Sequence, residues 1–105
     1  MTHRATKIVI ITEKLILEKV KRVIEAAGAT GYTIVAAGGK GSRGVRASGR
    51  AAAVVDAFTN VKVEVITANR EAAVKIADEV AARFFEDYSG ITYLENVEIL
   101  RPDKF

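Results

Sequence analysis

The sequence predicts one α+β domain of four strands and two helices, and three observations support this prediction. Apolar segments of strand length occur near both ends and twice in the middle of the chain. Two amphipathic segments of helical period separate them, so the order is strand, helix, strand, long loop, strand, helix, strand. A length of 105 residues suits a single domain. Two such units are typical of the ferredoxin-like βαββαβ fold, a four-stranded antiparallel sheet with both helices on one face.

The first half of the chain begins with a β-branched segment, residues 8–11, which predicts a buried strand. Thr12 is expected to cap the following helix. The apolar positions of that helix recur at helical spacing and are Ile16, Val20, Val23, Ile24 and Ala27. Gly28 and Gly31 are expected to end the helix, and residues 32–37 to form the second strand.

The second half begins with residues 61–66, which alternate apolar and polar side chains and therefore predict a strand with one covered face. Asn69 and Glu71 are expected to begin the second helix. Its inner side is predicted to carry small or apolar residues, namely Ala73, Ala77, Val80, Ala81 and Phe84.

The last strand is expected after a turn at residues 88–90, in two pieces with a bulge near Asn96. A four-stranded sheet that carries its helices on one face leaves the other face open. Apolar side chains occur on both sides of the predicted strands, so the sequence predicts an oligomer that covers the open face.

The composition argues against several classes of functional site. The net charge is +3, the chain has no cysteine, and its one histidine, His3, lies near the start, where we expect a surface residue without partners for a metal. Ser-His and Cys-His catalytic machinery is therefore not expected, and we predict a protein that is not an enzyme. No apolar segment has the length of a membrane span or a signal-peptide core, which favours a cytoplasmic protein.

A glycine-rich and basic loop follows the second strand. Between residues 38 and 50 the chain carries five glycines, four lysine or arginine residues and two serines. Glycines allow backbone amides to approach a ligand, and the cationic side chains add positive charge beside them. We interpret this segment as a phosphate-binding loop, and a solvated connection without a ligand is the alternative that composition leaves open.

Known nucleotide and nucleic-acid motifs do not explain this loop. Gly39, Gly41 and Gly44 match the spacing of the dinucleotide-binding fingerprint, but no helical pattern follows them, as that motif requires. A P-loop needs a hydroxyl residue directly after a glycine-lysine pair, and Lys40 is followed by glycine. RNA binding in this fold would need aromatic side chains on a middle strand, and residues 61–66 contain none. We expect no nucleic-acid partner.

Several motifs of the chain resemble those of the PII-like signalling proteins. The resemblance is greatest to the SbtB group of cyanobacterial carbon-concentrating regulators. The most specific is the sequence Gly-Gly-Lys-Gly-Ser-Arg at residues 38–43, which Val45 and Arg46 follow. The other matching segments are residues 12–14, 27–35, 76–78 and 85–91. The resemblance runs from the first strand to the last and implies a single PII-like domain over residues 1–105.

This resemblance implies a homotrimer that binds adenine nucleotides in clefts between subunits, as effectors and not as tightly bound cofactors. A segment over residues 38–57, the T-loop, would report the ligand state to a partner. The implied nucleotide-binding residues are Gly39, Lys40, Gly41, Ser42, Arg43, Arg46, Gly90 and Ile91. We further expect the adenine to pack near Glu13, Val35 and Phe58.

The resemblance also implies a role. Proteins of the SbtB group bind cyclic AMP, AMP, ADP and ATP and act on the sodium-dependent bicarbonate transporter SbtA at the membrane. A carboxysome-associated PII-like protein that binds ADP or AMP with bicarbonate is one alternative. A slow nucleotide phosphohydrolase is another, and it would need a metal with Glu13 or Asp56 to position water.

Some properties of relatives are not expected here. The chain contains no glutamine, so the magnesium–oxoglutarate site lacks its usual T-loop ligand. Residues 38–57 contain no tyrosine that could be modified, and no cysteine-bearing extension could support redox control.

Overall fold

The computed structural model describes residues 1–29, 31–38 and 59–101, together with the backbone of residues 40–41 and 44–45. Its elements in chain order are β1 (His3–Glu13), a 3₁₀ turn (Lys14–Ile16), α1 (Leu17–Ala26), β2 (Thr33–Ala37), β3 (Lys40–Gly41), β4 (Gly44–Val45), β5 (Asn60–Thr67), α2 (Arg70–Phe84) and β6 (Gly90–Ile99).

The four long strands form one antiparallel sheet in the order β2-β5-β1-β6. This order confirms the predicted ferredoxin-like fold, in which each helix connects two strands that have another strand between them. Among the described residues, the short strands β3 and β4 pair with each other.

Both helices cover the same face of the sheet, and the core lies between these two layers. Alternate residues of β1, Ile8 and Ile10, are fully buried in one cluster with the inner residues of the helices. The residues of β5 in this cluster are Val61, Val63 and Val65. Each such aliphatic side chain contributes about 1.5–3 kcal/mol on burial, so this layer supplies most of the stabilisation of the fold.

Local signals set the helix ends much as the sequence predicts. The Asn69 side chain accepts a hydrogen bond from the backbone N–H of Ala72 at 2.8 Å, which caps α2. Gly28 adopts a φ of 90° directly after α1, a conformation that favours glycine. Gly31, the second glycine expected to end the helix, does not have a positive φ. Ala27, which was predicted among the apolar positions of this helix, is exposed.

The predicted cap at Thr12 is wrong. Strand β1 continues through Glu13, so Thr12 lies within the strand. Thr12 is buried there, and its hydroxyl donates a hydrogen bond to the carbonyl of Ser89. The chain then enters α1 through the 3₁₀ turn, and no side chain caps that entry.

The predicted bulge near Asn96 is also wrong. Strand β6 pairs with β1 without interruption, from His3 opposite Ile99 to Thr12 opposite Gly90. His3 therefore belongs to β1 and is half-buried, where the sequence suggested a loose surface residue.

The second face of the sheet carries no helix among the described residues and is called here the open face. Its apolar side chains include Val35, Ile91 and Tyr93, which are 48%, 54% and 39% exposed. A charged cluster lies beside them, with Lys7 contacting Glu64 and Glu95, and Lys62 contacting Glu64. No helix in the described part of the chain is long and apolar enough to cross a membrane.

The stability of the fold is expected to fall in alkaline solution as Lys7 loses its proton. Lys7 Nζ lies 3.2 Å from Glu95 Oε1 and 3.6 Å from Glu64 Oε2. The hydrogen bond to Glu95, with the fields of both carboxylates, raises the pKa of Lys7 above 10.5, although burial acts in the opposite direction. A pKa raised in the folded state gives stabilisation that is complete below pH 10.5 and lost as the pH rises through the folded value.

Urea unfolding on both sides of pH 10.5 measures this loss, and Lys7→Met is the control because it cannot titrate. The unmodified protein should lose more stability than Lys7→Met over the same interval. Equal losses in the two proteins would assign the alkaline effect to other groups.

Candidate functional site

The ends of all four long strands meet at one edge of the sheet, beside the glycine-rich segment. Strand β1 ends here at Glu13, β2 ends at Ala37, β5 begins at Asn60 and β6 begins at Gly90. Asn60 is the register partner of both Glu13 and Ala37. We call this edge, with the neighbouring Ser89, the loop edge, because residues 38–59 connect β2 to β5 from it.

Two side chains of β1 fix the segment that precedes β6. Glu13 Oε2 accepts a hydrogen bond from the backbone N–H of Ser89 at 2.7 Å, and Thr12 Oγ1 donates one to the Ser89 carbonyl at 2.7 Å. Ser89 is buried, so both of its backbone groups depend on these partners. The two side chains thus hold the start of β6 at the loop edge.

Gly90 is fixed by packing against Phe85. A Cβ atom placed on Gly90 would lie 2.6 Å from Cζ of Phe85 and 2.8 Å from its Cδ1, and closer still to Cε1. Phe85 itself is partly buried and packs on the core cluster, so a movement of its ring would disturb that packing. Of the two predicted site residues in this segment, Gly90 is half-buried, whereas the side chain of Ile91 is exposed on the open face.

Asn60 presents an unusual buried acceptor at the loop edge. Its side chain is 1% exposed, and its Oδ1 has no hydrogen-bond partner in the described part of the chain. A buried amide oxygen without a partner costs roughly 1–3 kcal/mol, so such groups are retained where structure or function requires them. An N–H or O–H donor, and not a phosphate oxygen, would complement this atom.

The glycine-rich segment is described only in part. The backbones of Lys40 and Gly41 pair with those of Val45 and Gly44, respectively. The other predicted residues of this segment, Gly39, Ser42, Arg43, Arg46 and Phe58, lie outside the described residues, so their predicted roles stay predictions.

Two more of the predicted adenine contacts lie within the described residues. Glu13 lies at the loop edge, where its carboxylate accepts a hydrogen bond from Ser89, and Val35 lies on the open face with Lys62 as its register partner. Their predicted roles stay predictions. Within the ranges that the structure describes, no group of three or more histidine or carboxylate side chains is arranged to hold a metal ion.

Sequence reasoning did not find the contacts of Thr12 and Glu13 with Ser89, nor the orphan oxygen of Asn60. Each contact joins residues 76 or 77 positions apart, so no local pattern reports it. Only the predicted strand order, which places β1 beside β6, could have suggested that these segments meet.

A sequence model of the family described as nitrogen regulatory protein P-II matches residues 5–104, which is nearly the whole chain. The chain belongs to the P-II family. The match includes β1 from residue 5 onward, β6, and the chain between these two strands. The chain is thus a PII-like signalling protein, and PII proteins are typically homotrimers that signal through partners.

Solved PII structures share this architecture. A protein of Thermus thermophilus, described as a PII-like signalling protein, is 29% identical with a TM-score of 0.76, and the match covers 99% of this chain and 97% of that one. CPII from Thiomonas intermedia, bound to ADP and bicarbonate, is 25% identical with a TM-score of 0.80, over 97% of this chain and 94% of that one.

The B. subtilis GlnK–ATP complex is 17% identical with a TM-score of 0.61, over 92% of this chain and 84% of GlnK. At this identity the GlnK structure supports the PII fold alone.

Proposed function

We propose that this PII-like chain forms a homotrimer that binds adenine nucleotides at its subunit clefts and signals through residues 38–57. The observation that carries the proposal is the loop edge itself. There the ordered ends of the four strands adjoin a glycine-rich, basic segment, in a family where CPII is solved with ADP and bicarbonate.

The open face supports the homotrimer. Val35, Ile91 and Tyr93 leave apolar surface in water on a single chain, and a monomer of this size gains stability by covering such a surface. A symmetric assembly in which the sheets face one another would bury these side chains and bring a second subunit to the loop edge.

The chemistry of the loop edge suits a nucleotide. Glycine amides and the side chains of Lys40, Arg43 and Arg46 offer donors and positive charge for phosphate oxygens. Asn60 offers the opposite kind of group, an acceptor. It would accept a hydrogen bond from a ligand N–H or O–H, or from a loop amide that closes when ligand binds.

Signalling of this kind requires no bond to be broken. A nucleotide that binds one arrangement of residues 38–57 better than another shifts the population toward it, and a partner recognises the favoured arrangement. We therefore propose a regulator that is not an enzyme and that acts in the cytoplasm.

For the partner, we propose the bicarbonate transporter SbtA, which would recruit this regulator to the membrane. The motifs shared with the SbtB group support this choice, and cyclic AMP would then be among the ligands. A second candidate is a CPII-like protein that binds ADP or AMP with bicarbonate. The CPII structure with ADP and bicarbonate, 25% identical to this chain, favours that candidate.

Calorimetric titration of the purified protein with cyclic AMP, AMP, ADP and ATP tests the proposal, with and without bicarbonate. Saturable binding near one nucleotide per chain supports the sensor, and binding of cyclic AMP without a bicarbonate effect favours the SbtB-like role. Tighter binding of ADP or AMP in bicarbonate favours the CPII-like role. Absence of binding by all four nucleotides would refute the proposed function.

Arg46→Ala is expected to lower the affinity for ADP by about tenfold or more, because a charged hydrogen bond contributes roughly 1.5–3 kcal/mol. The loss should be greater for ADP and ATP than for AMP if Arg46 contacts the outer phosphates. Arg83→Ala is the matched control, since Arg83 is exposed and pairs with Glu79 at 3.1 Å on the outer side of α2. Calorimetry gives both affinities, and sedimentation checks that the assembly is retained. An unchanged affinity in Arg46→Ala would remove Arg46 from the site.

A further inference from the structure

A cavity of about 470 Å³ lies at the end of the sheet opposite the loop edge. The start of β1, the end of β6 and the residues around the start of α2 line it. Its polar residues are Arg4, Thr6, Asn69, Arg70, Asn96 and Glu98. We call it the arginine cavity.

The register of the sheet places the arginine cavity on the helix side. Ile8 of β1 belongs to the core under the helices, and side chains on a strand alternate between faces. Arg4 and Thr6 therefore point to that same side, as do their register partners Glu98 and Asn96. An assembly through the open face leaves this cavity accessible. Arg4 and Glu13 are nine positions apart on β1, which is about 30 Å at roughly 3.3 Å per residue.

The two arginines of the cavity have no ion-pair partner among the described residues. Neither Arg4 nor Arg70 has a carboxylate of a described residue within ion-pair distance, although Lys7, three residues from Arg4, has two. The carboxylate of Glu98 instead accepts a hydrogen bond from the Thr2 hydroxyl at 2.6 Å. Among the described residues of the lining, the two arginines thus accompany one carboxylate, that of Glu98.

Thr6 is the second, independent observation. Its side chain lines the cavity although the residue is only 5% exposed, and its hydroxyl donates to no described residue. Because this hydroxyl has no acceptor among the described residues and the residue lines the cavity, a ligand bound there would accept a hydrogen bond from it.

We propose that the arginine cavity binds a small anionic metabolite through one phosphate or carboxylate group. The planar guanidinium groups of Arg4 and Arg70 match the two oxygens of such a group, and Thr6 donates a further hydrogen bond. The volume admits a ligand well beyond the size of a single oxyanion. This site is separate from the loop edge and does not depend on the proposed nucleotide function.

Amide NMR titration of the intact protein at constant ionic strength tests this proposal, with inorganic phosphate and succinate as probes and sodium chloride as the reference. Saturable shifts centred on Thr6, Arg70 and Asn96 are expected with at least one probe, and the two probes distinguish a phosphate from a carboxylate ligand. Shifts that only match those in sodium chloride would overturn the proposal.

Variants locate the binding. Arg4→Gln and Arg70→Gln should each lower the affinity for the probe by about tenfold. Thr6→Val, which keeps the side-chain shape, should lower it by about fivefold. Arg83→Gln, on the same helix as Arg70, is the matched control and should bind unchanged. Undiminished binding in the Arg4→Gln, Arg70→Gln double variant would overturn the site.

Saturating ADP separates this site from the loop edge. Probe binding that persists in ADP supports an independent cavity, whereas displacement of the probe by ADP would place it at the nucleotide site and overturn the inference. A protein that binds none of the four nucleotides but still binds the probe would refute the proposed function and leave the arginine cavity standing.

Discussion

Replacing Gly90 with alanine is expected to lower the free energy of unfolding by about 1–3 kcal/mol, the usual cost of an overpacked site. The new methyl group would meet three atoms of the Phe85 ring, with Cζ only 2.6 Å away. Because Phe85 also packs on the core, the ring or the start of β6 must move. Urea unfolding measures the stability, and ADP titration of the same protein should show weaker binding if Ile91 lines the nucleotide.

Gly31→Ala is the matched control for Gly90→Ala. A Cβ on Gly31 meets no atom within 4 Å and its φ is not in the left-handed region, so the substitution should leave stability unchanged or raise it by about 0.4–1 kcal/mol. Adding Phe85→Leu to Gly90→Ala should recover part of the loss, since a smaller side chain removes the collision. If Gly90→Ala is as stable as Gly31→Ala, contact with Phe85 does not determine the choice of glycine.

Glu13→Ala is expected to destabilise the protein by about 1–3 kcal/mol, because the buried N–H of Ser89 would lose its carboxylate acceptor. The same change should release the segment that leads into Gly90 and so reduce nucleotide affinity. Urea unfolding and ADP calorimetry measure the two effects separately.

Glu13→Gln is the matched control, since its amide oxygen still accepts from Ser89 although the charge is lost. It should retain most of the stability and affinity. Thr12→Val tests the other contact on Ser89, and the two losses should not add, because both side chains hold one residue. Equal effects of Glu13→Ala and Glu13→Gln would assign the role to charge and not to the hydrogen bond.

Local signals predicted much of the fold. The alternation of residues 61–66 correctly gave the buried side of β5, and Asn69 and Gly28 gave two helix boundaries. These predictions succeeded because each depends on residues a few positions apart. Ile76 was missed on the inner side of α2, where it is buried, although Ala73, Val80 and Phe84 were correct.

The errors have a common cause in long-range packing. Glu95 and Asn96 interrupt the apolar pattern of β6 and suggested a bulge. However, Asn96 lies beyond the cover of the helices and lines the arginine cavity, where a polar side chain is tolerated without any break in pairing. Thr12 looked like a helix cap because a capping residue is recognised locally, whereas its true partner, Ser89, is brought to it by β6.

The sequence predicted which chemical groups belong to the candidate site but not the long-range contacts that position them. Composition identified the glycine-rich segment, and residues 38–46 carried the resemblance to PII proteins. Nothing in the order of residues reports that Asn60 would bury an oxygen that has no partner among the described residues, because that depends on which strands flank β5.

The central place of β1 in the sheet has a consequence for how the chain folds during synthesis. The first strand made, β1, pairs with the last two, β5 and β6, so its β-branched segment waits for partners that lie far downstream in the chain. Such non-local pairing slows folding, and refolding from urea is expected to take milliseconds to seconds. Until β6 leaves the ribosome, residues 8–11 remain an exposed apolar edge, the kind of segment on which nascent chains aggregate and chaperones act.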